Sequence, residues 1–423
     1  MLDIKFIREN KDLVQEGAKK KHITFDVAEL IAVDDKRLAA LSAFEALRAE
    51  QNQMSNRISV EKDATIRMQM IEEMRIVKED LKKHEEDLRG LMKEWQLLML
   101  QVPNIPDMTV PEGETDEQNQ ETKVWGEKTT FEFEAKDHVT LMEGLDIADF
   151  ERGTKVAGFR GYFLKNEGAE LEMALWQLAK DMITARGYSM LRTPSLVRRE
   201  SFVGTGFLPQ SEEDLYKVGE NEYLTGTAEV PTMGYYMDEV LEESALPKKF
   251  ISFSSCFRAE AGKHGKDVKG LIRVHEFFKM EQVVLCEANH STTVAFHEEL
   301  TQNSEDLMQA LKLPYHVVTN CGGDLGLGQV KKYDIEAWMP SQAKYRETHS
   351  SSYFHDFQTR RLNIRYKGSD GKLRYAHSLN NTAVATPRII AVIVENYQNP
   401  DGSVRIPEVL QKYMGGKTVI TKR

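Results

Sequence analysis

The chain has 423 residues, more than one hydrophobic core usually supports, so two domains are expected; 41% hydrophobic content is enough to pack them. No run of about 18 apolar residues occurs, and the start, Met1-Leu2-Asp3-Ile4-Lys5, lacks the apolar stretch of a secretory signal. This excludes a membrane-spanning helix and points to a cytoplasmic protein with no membrane partner. The formal net charge of −11 speaks against nucleic acid taken over the whole chain, and Cys256, Cys286 and Cys321, without CxxC spacing, argue against a disulfide framework or local zinc site.

In chain order, the first pattern is a heptad seam. Phe44, Leu47, Gln51, Met54 and Ile58 recur in steps of three and four, and so do Met70, Met74, Val77, Leu81, His84, Leu88, Leu91, Trp95 and Leu98. The polar stretch Ser59 to Thr65 between them reads as a reversal, which predicts an antiparallel helical hairpin. A helix of roughly 30 residues reaches about 45 Å, too long for the inside of a compact domain. Arg48, Arg57, Arg67, Arg75, Lys78, Lys82, Lys83 and Arg89 recur along it among acids, a mixture more typical of a solvated coiled-coil face than of an RNA stripe.

After Leu100 the prolines Pro103, Pro106 and Pro111 and the acidic run Glu112 to Glu117 predict a linker. A helical stretch follows at Gly168 to Arg186. Apolar runs at Phe250–Phe257, Phe277–Cys286, Tyr315–Thr319 and Tyr333–Pro340 predict strands, and Leu362–Tyr366 and Leu373–Ala376 flank an Asp370-Gly371 hairpin turn. Many strands with few helices between them predict a mainly antiparallel sheet rather than a doubly wound one. Gly326-Leu327-Gly328 lacks the third glycine of a dinucleotide fingerprint and reads as a turn before the strand at Tyr333. Arg258, at the end of a strand before a glycine- and lysine-rich loop, suits either a forked clamp on phosphate and carboxylate or an ordinary surface ion pair.

Phe257-Arg258-Ala259-Glu260 with its loop resembles motif 2 of the class II aminoacyl-tRNA synthetases, and the segment through Lys279-Met280-Glu281-Gln282 resembles the seryl version. Collinear similarities follow: Gly204-Thr205-Gly206-Phe207-Leu208-Pro209, Thr227-Ala228-Glu229-Val230-Pro231, Lys331 to Glu336, Asp356-Phe357-Gln358, Leu379 to Arg388 (motif 3) and Glu395-Asn396-Tyr397-Gln398. Gly187 to Pro194 resembles motif 1, which in the family builds a homodimer interface.

The resemblance implies an α+β fold: a class II antiparallel sheet with flanking helices, plus the N-terminal helical hairpin. It implies a tRNA-binding arm over residues 1–102, a linker over 103–136 and a catalytic domain over 137–423. The expected activity is serine–tRNA ligation, with L-serine, ATP and Mg²⁺, on tRNA(Ser) and, where members have it, tRNA(Sec).

By the same resemblance Arg258 holds the α-phosphate and the reacting carboxylate, and Arg388 meets the γ-phosphate as the second catalytic residue. Serine falls to Thr227, Ala228, Glu229, Arg258, Glu281, Asn380 and Thr382. ATP falls to Arg258, Ala259, Glu260, Val274, Phe277, Glu347, Thr348, His349, Ser350 and Arg388, with Glu347 and Ser350 as oxygen ligands of Mg²⁺. Lys263, Lys266 and Lys269 in the motif 2 loop would lie near the tRNA acceptor end. Two positions depart from the commonest bacterial pattern: Asn380-Asn381-Thr382 replaces Asn-Gly-Ser, and His349, where serine is frequent, either touches ATP or fills space, the second being favoured.

Overall fold

The computed structural model describes residues 1–261, 265 and 267–422. It divides into two units, one made of Leu2–Lys19 and Ile23–Pro103, the other of Met1, Lys20–His22 and Asn104–Arg423.

The first unit is dominated by helices α1 (Val27–Val60) and α2 (Ala64–Gln101), which pack against each other. Asp26 and Asp63 cap them: each accepts from two free N–H groups of the first turn, an arrangement that typically contributes about 1 kcal/mol. The reversal is tight, Glu61 to Asp63, inside the polar stretch read from sequence. Every predicted seam residue from Phe44 to Ile58 and from Met70 to Leu98 is at least half-buried, whereas Arg48, Arg57, Arg67, Arg75, Lys78, Lys82, Lys83 and Arg89 are exposed. The seam thus forms because a 3.5-residue apolar repeat keeps one stripe facing the partner helix.

The second unit is built on an eight-stranded sheet. Its strands are β1 (Gln120–Trp125), β2 (Ser189–Arg192), β3 (Lys248–Phe257), β4 (Glu276–Cys286), β5 (Tyr315–Thr319), β6 (Lys331–Met339), β7 (Lys344–His355) and β8 (His377–Ala385). The spatial order is β1-β5-β6-β7-β8-β4-β3-β2, antiparallel throughout except for the β2–β3 pair. Helices α3 (Asn166–Thr184), α4 (Glu229–Gly234), α5 (His290–Ala310), α6 (Phe357–Arg361) and α7 (Thr386–Asn396) flank it. The main core runs from Leu171, Leu175 and Leu178 of α3 through Met280 and Val284 of β4 to Ile389–Val394 of α7.

Three readings change. The stretch read as linker contributes β1, an edge strand of exposed and half-buried residues whose Gln120 to Trp125 pair with Thr319 to Tyr315; it has no apolar run to announce it. Leu362–Tyr366 is not one strand: α6 ends at Arg361, and the strand covers only Arg365–Lys367 before its hairpin partner Leu373–Tyr375. Helix α5 and strands β7 and β8 had no counterpart among the predicted elements.

Candidate active site

One face of the sheet floors a cavity of about 380 Å³. Because side chains alternate along a strand, Phe277, Lys279 and Glu281 of β4 point into it together, as do Ser350, Ser352 and Phe354 of β7 and Asn380 and Thr382 of β8. A bulge in the β6–β7 pairing, where Ile335 faces His349 but Glu336 faces Glu347, inserts Thr348 as an extra residue, so Glu347 and Thr348 both reach the cavity. The walls come from Thr205, Gly206 and Phe207, from Thr227 and Glu229 at the start of α4, from Leu271 to Val274, and from Pro387 and Arg388 at the start of α7.

One end of this cavity is acidic and buried. Lys279 Nζ lies 2.5 Å from Glu281 Oε2, both side chains below a tenth exposed, and the Thr382 hydroxyl reaches the same oxygen at 3.5 Å. Glu229 stands beside them. Burial, and then the charge of Glu281, push its carboxyl up to about 7, while the side chains of Gln358, Lys279 and Asn380 pull the other way. Two carboxyls, one lysine and a hydroxyl around one small space can hold an ammonium and a hydroxyl of the same ligand.

The other end is rich in arginine. Arg258 stands over the Phe277 ring, 5.4 Å from its centroid, with Nε 3.4 Å from the Gly226 carbonyl. Among the described residues no carboxylate comes within 4 Å of it, so its fork is not spent on a surface ion pair. Arg388 sits in the first turn of α7 behind Pro387, where free N–H groups already favour an anion. Its Nη1 donates to the Glu347 carbonyl at 2.7 Å and lies 3.3 Å from Glu347 Oε2; its Nε donates to the Ile272 carbonyl. Desolvation works against the Glu347 charge, but Arg388, Lys332 and Arg258 outweigh it and hold that carboxyl below the usual carboxylate range. Glu260 is braced by Arg273, Nη1 to Oε2 3.0 Å.

Arg258, Glu260, Val274, Phe277, Thr227, Glu229, Glu281, Glu347, Thr348, Ser350, Asn380, Thr382 and Arg388 therefore line a single cavity. Three expected residues do not line it. Ala228 is fully buried and leads into α4, and Ala259 spends its N–H on the Asp214 carbonyl. His349 is buried under the floor, its Nε2 donating to the Ala383 carbonyl at 3.1 Å and its Nδ1 2.8 Å from the Thr348 hydroxyl. Lys263 and Lys266 lie outside the described residues; Lys269 pairs with Glu143 at 2.7 Å.

Sequence reasoning assigned no role to Lys279, although its two-residue spacing from Phe277 and Glu281 on one strand was the available signal. Gly326 to Gln329, read as a turn, is a turn that also walls the cavity.

The first 106 residues match the family model described as the seryl-tRNA synthetase N-terminal domain, and residues 214–397 match the class II core domain of tRNA synthetases for G, H, P, S and T. A serine–tRNA ligase of Deinococcus radiodurans is 45% identical over 421 residues, covering 99% of both chains, and one of Caldicellulosiruptor saccharolyticus is 43% identical over 417 residues, covering 98% of this chain and 99% of its own. The chain belongs to the seryl-tRNA synthetase family. Its activity is accordingly serine–tRNA ligation. The solved structure of the Pyrococcus horikoshii seryl-tRNA synthetase complexed with ATP superimposes at a TM-score of 0.90, with 37% identity over the full length of both chains. The cytoplasmic serine–tRNA ligase of Naegleria fowleri in complex with AMP does so at 0.86, with 33% identity, covering 100% of this chain and 99% of that one.

Within this seryl-tRNA synthetase fold the two departures from the family pattern become intelligible. Asn381 alternates with Asn380 and Thr382, so it points away from the cavity into a buried polar layer, where its Oδ1 accepts from Gln282 Nε2 at 2.9 Å and Ser304 Oγ at 2.5 Å. His349 lies on the same hidden side.

Proposed function

We propose that this serine–tRNA ligase binds L-serine at the Glu229–Lys279–Glu281 end of the cavity and ATP at the Arg258–Arg388 end. Glu229 accepts the substrate ammonium, and Glu281 and Thr382 meet its hydroxyl. Arg258 spans the serine carboxylate and the α-phosphate, Phe277 stacks on the adenine that Glu260 reads, and Arg388 turns to the γ-phosphate. The serine carboxylate attacks the α-phosphorus; a mixed anhydride forms and pyrophosphate leaves. The terminal ribose hydroxyl of tRNA(Ser) then attacks the seryl carbonyl, giving the ester and AMP. No protein base is required in the first step because the nucleophile is already a carboxylate, so positioning and charge stabilisation carry the rate. The observation that carries this reading is that a buried acidic recess and an arginine with no carboxylate within 4 Å among the described residues share one cavity.

Glu347 and Ser350 offer hard oxygens beside the proposed phosphate path and fit Mg²⁺, which would neutralise phosphate charge there. Among the described residues no group of three or more His, Cys, Asp or Glu side chains could hold a metal by itself.

The helical hairpin is proposed to grip the tRNA, and the match of residues 1–106 supports that role. Homodimerisation would use Gly187 to Pro194, whose strand β2 lies at a sheet edge with Met190 exposed. A cytoplasmic location is proposed as well; no described helix is long and apolar enough to cross a membrane. Charging of tRNA(Sec) is the one open extension of the substrate range. ATP–pyrophosphate exchange with each of the twenty amino acids, followed by transfer to total tRNA, tests the whole: serine alone should support both steps. Removing residues 40–100 should leave exchange and abolish charging, and unchanged charging would reject the arm's role.

A further inference from the structure

Gln358 is almost completely buried in α6 and does not line the cavity. All of its polar atoms are engaged. Nε2 donates to the Thr205 carbonyl at 3.2 Å and to Glu229 Oε1 at 2.6 Å, while Oε1 accepts from the Ser378 hydroxyl at 2.7 Å. A backbone carbonyl can only accept, so the nitrogen end of the amide must face Thr205, and the same end therefore faces Glu229.

An amide N–H needs a lone pair opposite it and bonds most strongly to an ionised oxygen. The other groups around Glu229 divide. Glu281 of β4 opposes a charge there, as burial does, whereas Lys279 of β4 and Asn380 of β8 favour it; Arg258 at the end of β3 is a further charge facing the cavity. Gln358 is the neutral donor behind the carboxyl, outside the residues that line the cavity.

We propose that Gln358 is a positioning residue for serine activation: its N–H holds the Glu229 carboxylate turned towards the cavity, as the acceptor for the substrate ammonium. The proposal rests on the reading of Glu229 as that acceptor. Without the donor, the buried carboxyl would keep its proton to higher pH and would meet the ammonium without a charge.

The test is ATP–pyrophosphate exchange by full-length enzyme across a pH series, comparing Gln358→Met, Gln358→Leu and Glu229→Gln with the wild type. Both Gln358 variants should raise the KM for serine about fivefold at pH 7 and about tenfold below about pH 6, and leave the KM for ATP within about twofold. The acidic limb of kcat/KM for serine should move up by about one pH unit, the equivalent of that tenfold, so the defect shrinks as pH rises. A purely structural role would lower kcat or stability without moving the limb. An unmoved limb in Gln358→Met, which keeps the side-chain length without a donor if the leucine variant does not fold, overturns the proposal. Glu229→Gln separates the two ideas. A wild-type serine KM in that variant removes the ammonium reading and this proposal with it; a raised KM, with the limb unmoved in the Gln358 variants, removes this proposal alone.

Discussion

Lys279 Nζ and Glu281 Oε2 lie 2.5 Å apart on one strand, two residues from each other, with both side chains buried. Such a pair is poor evidence of stabilisation, because desolvating two charges can cost as much as their attraction returns. Breaking it is different. Lys279→Met should destabilise the fold by about 3–5 kcal/mol, since it leaves Glu281 beside Glu229 with no cation. Lys279→Met combined with Glu281→Leu should recover most of that in chemical denaturation while remaining inactive in serine-dependent exchange. A double variant no more stable than the single one would show that the pair holds the floor together.

Arg258 has no carboxylate partner among the described residues and stands over Phe277, so it is pre-set for a ligand. Arg258→Ala should abolish pyrophosphate exchange. Arg258→Lys should recover little, because a point charge cannot span carboxylate and phosphate as a planar fork does. Near-normal exchange by either variant would sink the assignment.

Glu229 gives the site a pH dependence. Its carboxyl is raised to about 7, first by burial and then by Glu281. Its ionised form binds the ammonium, so kcat/KM for serine should fall as pH drops through about 7, a limb that reports the free enzyme. Glu229→Gln should have a low value with no such limb. A wild-type profile that stays flat between about pH 6 and 8 would place the ammonium elsewhere.

The hairpin was legible because a coiled-coil seam is a mainly apolar repeat at fixed spacing, in which Gln51 and His84 keep the rhythm. The strands that build the site were not. β8 buries Ser378, Asn380, Asn381 and Thr382, and β7 buries Thr348, His349, Ser351 and Ser352, so neither carries the apolar run that marked β3 and β4. Helix α5 escaped for the same reason. Its buried side interrupts Leu300, Leu307 and Met308 with His297, Thr301, Asn303 and Ser304, which bond to Gln282, Ser351 and Asn381. Polar atoms were needed on both faces of the floor, and hydrophobic patterning is silent where the interior is polar. Similarity of motifs, which compares residues rather than their polarity, found Glu281, Asn380 and Thr382 where periodicity could not, but did not show which neighbours point away.

His349 is the clearest case of a residue inside a motif that faces away from the chemistry. Burial lowers its imidazole to about 4, against bonds from the Ala383 carbonyl side, so it is neutral near pH 7. The unfolded chain binds that proton at the ordinary histidine value, so this contribution to stability is present at neutral pH and is lost as pH falls from about 6.5 to about 4. His297, His355 and His377 are lowered in the same way and add to the loss. His349→Ser should therefore cost about 2 kcal/mol at neutral pH, by opening space and stranding the Ala383 carbonyl. Its stability should then fall less steeply with acid than the wild type's. The KM for ATP should stay within about twofold, since the ring does not reach the cavity. A larger rise with unchanged stability in thermal unfolding would show that His349 contacts the nucleotide after all.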